Sequence, residues 1–283
     1  MSPALRVLGP LLLLAVPLAA QTATPSEPRL VLSFFGGYRG GGDLWTLNNQ
    51  PIAVFESDAD SIFAVPGQYD TLNLKRRVVP GFIVGASGDY FPKPHVGLHV
   101  EITFLDMGTE SQCSVRQSQP PAMNDIVPVL CQGLQGQSVP ISAVAFSFGL
   151  VGRLAPNHTT DPYFLVSGGI ISRTRSVIEM SSSYYTANAE PVGTTVVLDT
   201  NPSNVGVHVT LGAGVAFSLG PGYQLRFEGR DVITPLQRIT GPADPNDQTT
   251  GSLTPPHSAQ WFHSLAFIVA LDVVFEKQRG HRY

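Results

Sequence analysis

The sequence predicts an all-β protein: an up-and-down antiparallel transmembrane β-barrel with long external loops. Eight strands are expected, with ten as the alternative. Three observations carry this expectation. Apolar and polar residues alternate with a period of two in eight separate segments. The connections between those segments alternate between long and short along the chain. Charged residues make up only 13% of the 283 residues, against about 25% in an ordinary soluble domain, while 28 glycines and 24 prolines supply turns.

The first segment, about 29–39, places Leu30, Leu32 and Phe34 on one face. The second, about 78–90, carries Phe82, Val84 and Tyr90. In the third, about 95–106, Val96, Leu98, Val100, Ile102 and Phe104 lie opposite His99, Glu101 and Thr103. In the fourth, about 140–154, Val144, Phe146, Phe148 and Leu150 oppose Ser142, Ser147 and Arg153 only after a slip in phase. The fifth, about 163–173, is ambiguous in phase. The sixth and seventh form a hairpin around Gly220-Pro221-Gly222. Before the turn, Val207, Val209, Leu211, Val215 and Phe217 oppose His208, Thr210, Gly212 and Gly214. After it, Tyr223, Leu225 and Phe227 oppose Gln224, Arg226, Glu228 and Arg230. The eighth, about 261–275, aligns Trp261, Leu265, Phe267, Val269, Leu271, Val273 and Phe275. It supplies the roughly 9–11 tilted residues that a membrane-spanning strand needs.

The connections at about 40–77, 107–139, 174–205 and 233–260 are long, and those between them are short. Compact soluble domains favour short connections throughout, whereas outer-membrane barrels pair long external loops with short turns. The apolar faces are therefore expected to meet lipid and the polar faces to line the interior. Backbone groups in hydrocarbon must all be paired, so the sheet must close. An eight-stranded interior is just wide enough for side chains to fill. A polar network of His99, Glu101, Arg226, Glu228, Arg230 and Asp272 is expected there, with Arg226 and Arg230 paired to Glu228, Glu101 or Asp272, because a lone buried charge is costly. Residues 51–55 and 61–65 could add an external hairpin, above the membrane or within a ten-stranded barrel.

Residues 1–20 read as a secretory signal peptide: Arg6, an apolar run from Leu8 to Leu18, then Ala19 and Ala20. Cleavage after Ala20 is the first choice and after Ala23 the second. Residues 21–28 read as a linker, 29–275 as the barrel domain and 276–283 as a short tail. Export favours a disulfide between the two cysteines, Cys113 and Cys131.

The eight amphipathic segments, the alternating loops and a last strand ending on Phe275 resemble the small outer-membrane barrel family of OmpA/OmpX type. The resemblance covers about 29–275. It implies a bacterial outer-membrane location, lipid and barrel assembly machinery as partners, and a terminal aromatic read by that machinery. Phe275 fits that role, and Tyr283 is the alternative because eight residues follow Phe275. The protein is expected to be a monomer.

Motifs for catalysis are not found: GxSxG, HExxH and Walker-type loops do not occur. His263 and Ser264 are adjacent and so point to opposite faces of a strand, and His99 with Glu101 lacks a serine partner. Neither a catalytic site nor a cofactor or metal is expected, with a lipid-modifying enzyme as the remote alternative. The acidic groups Glu56, Asp58, Asp60 and Asp244, Asp247 lack the calcium-loop spacing. Lys75-Arg76-Arg77 reads as a solvated charge run, or as a site for lipopolysaccharide phosphates. A net charge of -4 and only three lysines exclude nucleic acid. The expected function is structural or surface interaction through the long loops. A narrow channel for small or apolar solutes and a secreted lipocalin-like binding barrel are the alternatives.

Overall fold

In the computed structural model, which describes residues 29–57, 62–121, 125–156, 158–185, 191–199, 202–240 and 257–276, most of the chain is strand. The first part contributes β1 (Arg29–Arg39), β2 (Gly42–Ser57), β3 (Ile62–Val78), β4 (Gly81–Phe91), β5 (Val96–Asp106) and β6 (Thr109–Arg116). Next come α1 (Val127–Leu134), β7 (Ser138–Val139), β8 (Ser142–Arg153) and β9 (Thr160–Arg173). The last part contributes β10 (Met180–Tyr185), β11 (Pro191–Val197), β12 (Val205–Gly220), β13 (Tyr223–Ile239) and β14 (His257–Glu276). The expected signal peptide and linker (1–28), Asp58, Asp60, Asp244, Asp247 and residues 277–283 of the tail lie outside the described residues.

Eight strands close a barrel in the order β1-β14-β13-β12-β9-β8-β5-β4, and β4 returns to β1. All neighbours are antiparallel. The count is eight. The anticipated extra hairpin exists as β2 and β3, but it lies outside the barrel in a separate sheet. Adjacent residues fix the inside and the outside: Ser33 is 1% exposed and Phe34 is 66% exposed. Phe146, Phe148, Leu150, Trp261, Leu265 and Phe267 all face outward. A chain that exposes this much aromatic and aliphatic surface all round a closed sheet is built for hydrocarbon. Among the described residues, no helix is long and apolar enough to cross a membrane.

Two phase questions resolve. The β8 strand alternates without a slip: Ala143, Ala145, Ser147, Val151 and Arg153 face inward, so Ser142 falls on the outward row. In β9, Tyr163, Leu165, Ser167, Ile171 and Arg173 face inward, and Phe164, Val166 and Ile170 face outward. The β12–β13 turn places Gly222 at φ 82°, the left-handed conformation that the third residue of a type II turn requires.

One end of the barrel carries only short turns. The other carries a cap. Within it β2, β3, β6 and β7 form a four-stranded sheet, β10 and β11 form a hairpin, and α1 packs between them. Leu72, Leu74, Val127, Leu134, Met180 and Val197 are buried in the cap. They belong to the same apolar cluster as Phe35, Ile83, Ile171 and Phe262 from the mouth of the barrel. Much of the expected long loops at 40–77, 107–139 and 174–205 is therefore built into strands and a helix. A disulfide joins Cys113 on β6 to Cys131 on α1, with Cα atoms 5.3 Å apart. By the chain-entropy relation, a loop of this size (18 residues apart) stabilises by about 3 kcal/mol.

Candidate functional site

Two regions hold the chemically capable side chains: the barrel interior and the cap. The interior gathers the residues singled out by sequence. On β5, Glu101 receives Arg230 Nη1 from β13 at 2.8 and 3.0 Å. Arg230 also donates through Nε to Glu228, two residues away on the same face. Glu228 accepts the Tyr163 hydroxyl from β9. Arg226 lies 3.4 Å from Asp272 on β14 and 3.7 Å from Asp89 on β4. His99 Nδ1 lies 2.6 Å from Asp89, and its Nε2 lies 3.5 Å from Glu101. The network therefore runs from strand to strand across the interior. Asp89 and Tyr163 are members that the sequence did not identify, because their partners Arg226 and Glu228 come from a strand far away in the chain.

Aromatic rings complete the layer. The guanidinium of Arg226 sits 5.5 Å from the Tyr163 ring centre, and that of Arg230 sits 5.0 Å from the Phe35 ring centre. Nearer the short-turn end, Arg153 pairs with Asp161 and covers Phe91. Around the network the remaining voids are small: about 30 Å³ beside Arg226 and Asp272, and about 10 Å³ beside Glu101 and Arg230. These hold a few waters at most.

A serine–histidine contact appears where sequence offered none. Ser147 Oγ on β8 lies 2.8 Å from His208 Nε2 on β12. The two strands are not neighbours, since β9 runs between them and places Gly169 opposite both residues. A Cβ on Gly169 would come within 1.8 Å of the Phe146 carbonyl oxygen, so only glycine allows this close approach. His208 Nδ1 has no partner, so no acid orients the ring. The adjoining void of about 10 Å³ has no room for a substrate. The pair closes polar groups off from hydrocarbon rather than forming a nucleophile–base site. His263 and Ser264 do point to opposite faces: His263 meets Asp231 outside at 2.6 Å, and Ser264 meets Arg39 inside at 3.1 Å.

In the cap, Lys75-Arg76-Arg77 is not a continuous solvated run. Successive strand residues face opposite ways, so Arg76 is buried while Lys75 reaches Asp43 at 2.9 Å. Arg76 donates to Ser111 Oγ and to the Val177 carbonyl. Burial pulls its pKa down to about 10, against the opposing pull of Glu179. Asp125 sits just before α1 and accepts the Val127 N–H at 3.0 Å. Burial, and then the nearby Asp70 carboxylate, push its pKa up to about 6. No group of three or more potential metal ligands occurs among the described residues. Phe275 lies on the outer face near the end of β14, 51% exposed.

No protein-family model and no curated protein sequence matches the chain. Solved structures do match its fold. Neisserial surface protein A shares 8% identity, with 87% of this chain and 97% of that one covered and a TM-score of 0.38. The outer membrane protein OprG from Pseudomonas aeruginosa shares 8% identity, with 89% and 97% covered and a TM-score of 0.40. Ail, the attachment invasion locus protein of Yersinia pestis, was solved in complex with a heparin analogue; it shares 9% identity, with 88% and 99% covered and a TM-score of 0.33.

Arg230→Ala leaves Glu101 and Glu228 buried without their cation. It should cost about 3–5 kcal/mol, read as a lower urea midpoint for unfolding from lipid vesicles. Asp125 holds a proton in the folded cap that the unfolded chain releases near its ordinary value of 3.8. Its contribution is thus present below about pH 4 and is lost as pH rises through about 6. Protease resistance of the cap should fall over that window. Asp125→Asn, which keeps the acceptor for Val127 N–H, should flatten the fall.

Proposed function

We propose that this protein is a bacterial outer-membrane barrel with a surface-interaction role, exported by its N-terminal signal sequence. The strands anchor it, and the cap works outside the cell. The observation that carries this reading is an ordered, disulfide-tied cap standing on one end of a barrel whose interior is filled by ion pairs. A filled interior argues against solute conduction, and its charge argues against an apolar ligand inside. The short-turn end offers little surface, which leaves the cap as the part able to recognise another molecule. Its sheet, helix and hairpin share one apolar core, so they would present a fixed outline and pay little ordering entropy on binding.

Two assays test this proposal. The purified chain should be silent in planar bilayers; steady ion conductance would overturn the filled-barrel reading. Cells displaying the full chain should retain components of a glycan and protein array. Cells displaying a variant with residues 40–79 and 107–140 cut back to short turns should lose that retention. Equal retention by both would place recognition elsewhere.

A further inference from the structure

At the cap end of the barrel, a cavity of about 150 Å³ opens between β9, β12 and β13 and the segment that follows β9. Arg173, Arg175, Ser176, Asp199, Ser203 and Gln237 supply its polar lining. Arg173 is the last residue of β9 and only 8% exposed. Its Nε and Nη2 are buried and have no hydrogen-bond partner. The guanidinium lies over Gly206, where an added Cβ would stand 3.4 Å from Nη1. The buried Oε1 of Gln237, on β13, is likewise without a partner.

Each of the other buried arginines of the barrel and cap has a hydrogen-bond or ion-pair partner, Arg226 through ion pairs although its Nε too lacks a hydrogen bond. Arg39 donates to the Asp106 and Val79 carbonyls, Arg76 to Ser111, Arg153 to Asp161, Arg226 contacts Asp89 and Asp272, and Arg230 binds Glu101 and Glu228. Arg173 has no ion pair among the described residues. A buried guanidinium with idle donors is expensive and calls for a partner of opposite charge. The cavity's own acid does not supply it: Asp199 accepts the Ser176 hydroxyl. The Ser203 hydroxyl is spent on the Val205 carbonyl. What remains free to bind is the Arg173 fork, the exposed Arg175 beside it and the Gln237 amide. Turning that amide over would present its NH2 instead of its oxygen, since the two are not distinguished by shape.

We propose that this cavity is an anion site for a phosphate group. The guanidinium fork of Arg173 matches two phosphate oxygens, Arg175 adds a second positive charge at the entrance, and Gln237 donates a third hydrogen bond. Two arginines against one aspartate leave the pocket net positive. Outward-facing Val205, 57% exposed, stands beside the opening, so both a lipid headgroup and a phosphate in solution can reach it.

The test uses the full chain folded in dodecyl maltoside, a detergent without phosphate. The unfolding midpoint is followed by the loss of the compact band on unboiled gels. Inorganic phosphate should raise the midpoint by about 5 °C at saturation, above a sodium chloride control of equal ionic strength. Arg173→Met should abolish that rise and, without phosphate, unfold no earlier than the parent, since an unmatched buried charge is gone. Arg175→Ala, an exposed change that leaves the fold intact, should weaken the phosphate response several-fold. A parallel titration with short-chain phosphatidic acid, against phosphatidylcholine, separates the sources. A response to phosphatidic acid alone assigns a lipid headgroup, and a response to inorganic phosphate alone assigns a soluble phosphate. Failure of both to act, or equal responses from Arg173→Met and the parent, would overturn the site and leave ordered water as the occupant.

Discussion

The rest of the structure depends on one constraint: in hydrocarbon, every backbone N–H and C=O must find its partner within the protein. The eight barrel strands meet it by closing the sheet, with β1 joined to both β4 and β14. Here eight strands close it, and that number leaves an interior just wide enough for side chains. Val31, Ile83, Val151 and Leu165 are among the apolar side chains that fill it; the charged ones, being buried, must pair. The chain of contacts from Asp272 through Arg226 and Asp89 to His99 and Glu101 is the consequence. The charged groups of the interior are thus spent on one another.

The cap is more than a set of loops. Its apolar core continues without a break into the mouth of the barrel through Phe35, Ile83, Ile171 and Phe262. Strands β13 and β14, 17 and 20 residues long, reach the cap and meet β2 there. Cys113 and Cys131 tie the sheet to the helix from above. A surface held this way can place polar groups at fixed positions, as the cavity at Arg173 illustrates: Gly206 leaves the space, and β9 ends where the guanidinium is needed.

The barrel was legible in the sequence because its strands alternate cleanly. The Leu265–Val273 row and the Arg226–Glu228–Arg230 row each reveal one face. Of the cap, only the β2–β3 hairpin and the Cys113–Cys131 bond were legible, and the rest was hidden for three physical reasons. The β2 strand carries bulges between Asp43 and Trp45, Leu47 and Gln50, and Ala53 and Phe55, and each bulge resets the alternation. The β3 strand alternates well, but Arg76 occupies an inward position that reads as polar surface. The α1 helix is only eight residues long and begins beside Pro128, too short for a helical period to stand out. Sequence also missed Asp89, Tyr163 and the Ser147–His208 contact. These depend on register between strands far apart in the chain, and in the last case on Gly169 between them.

The measurement that tests the central claim most directly is heat-modifiability of the full 283-residue chain expressed in a Gram-negative host. Membrane fractions are run on SDS gels with and without boiling. The closed, lipid-facing barrel requires enrichment in the outer-membrane fraction and a compact band that shifts to the unfolded position only on boiling. A soluble product whose mobility is the same with and without boiling would contradict it, and would turn the apolar faces of these strands inward.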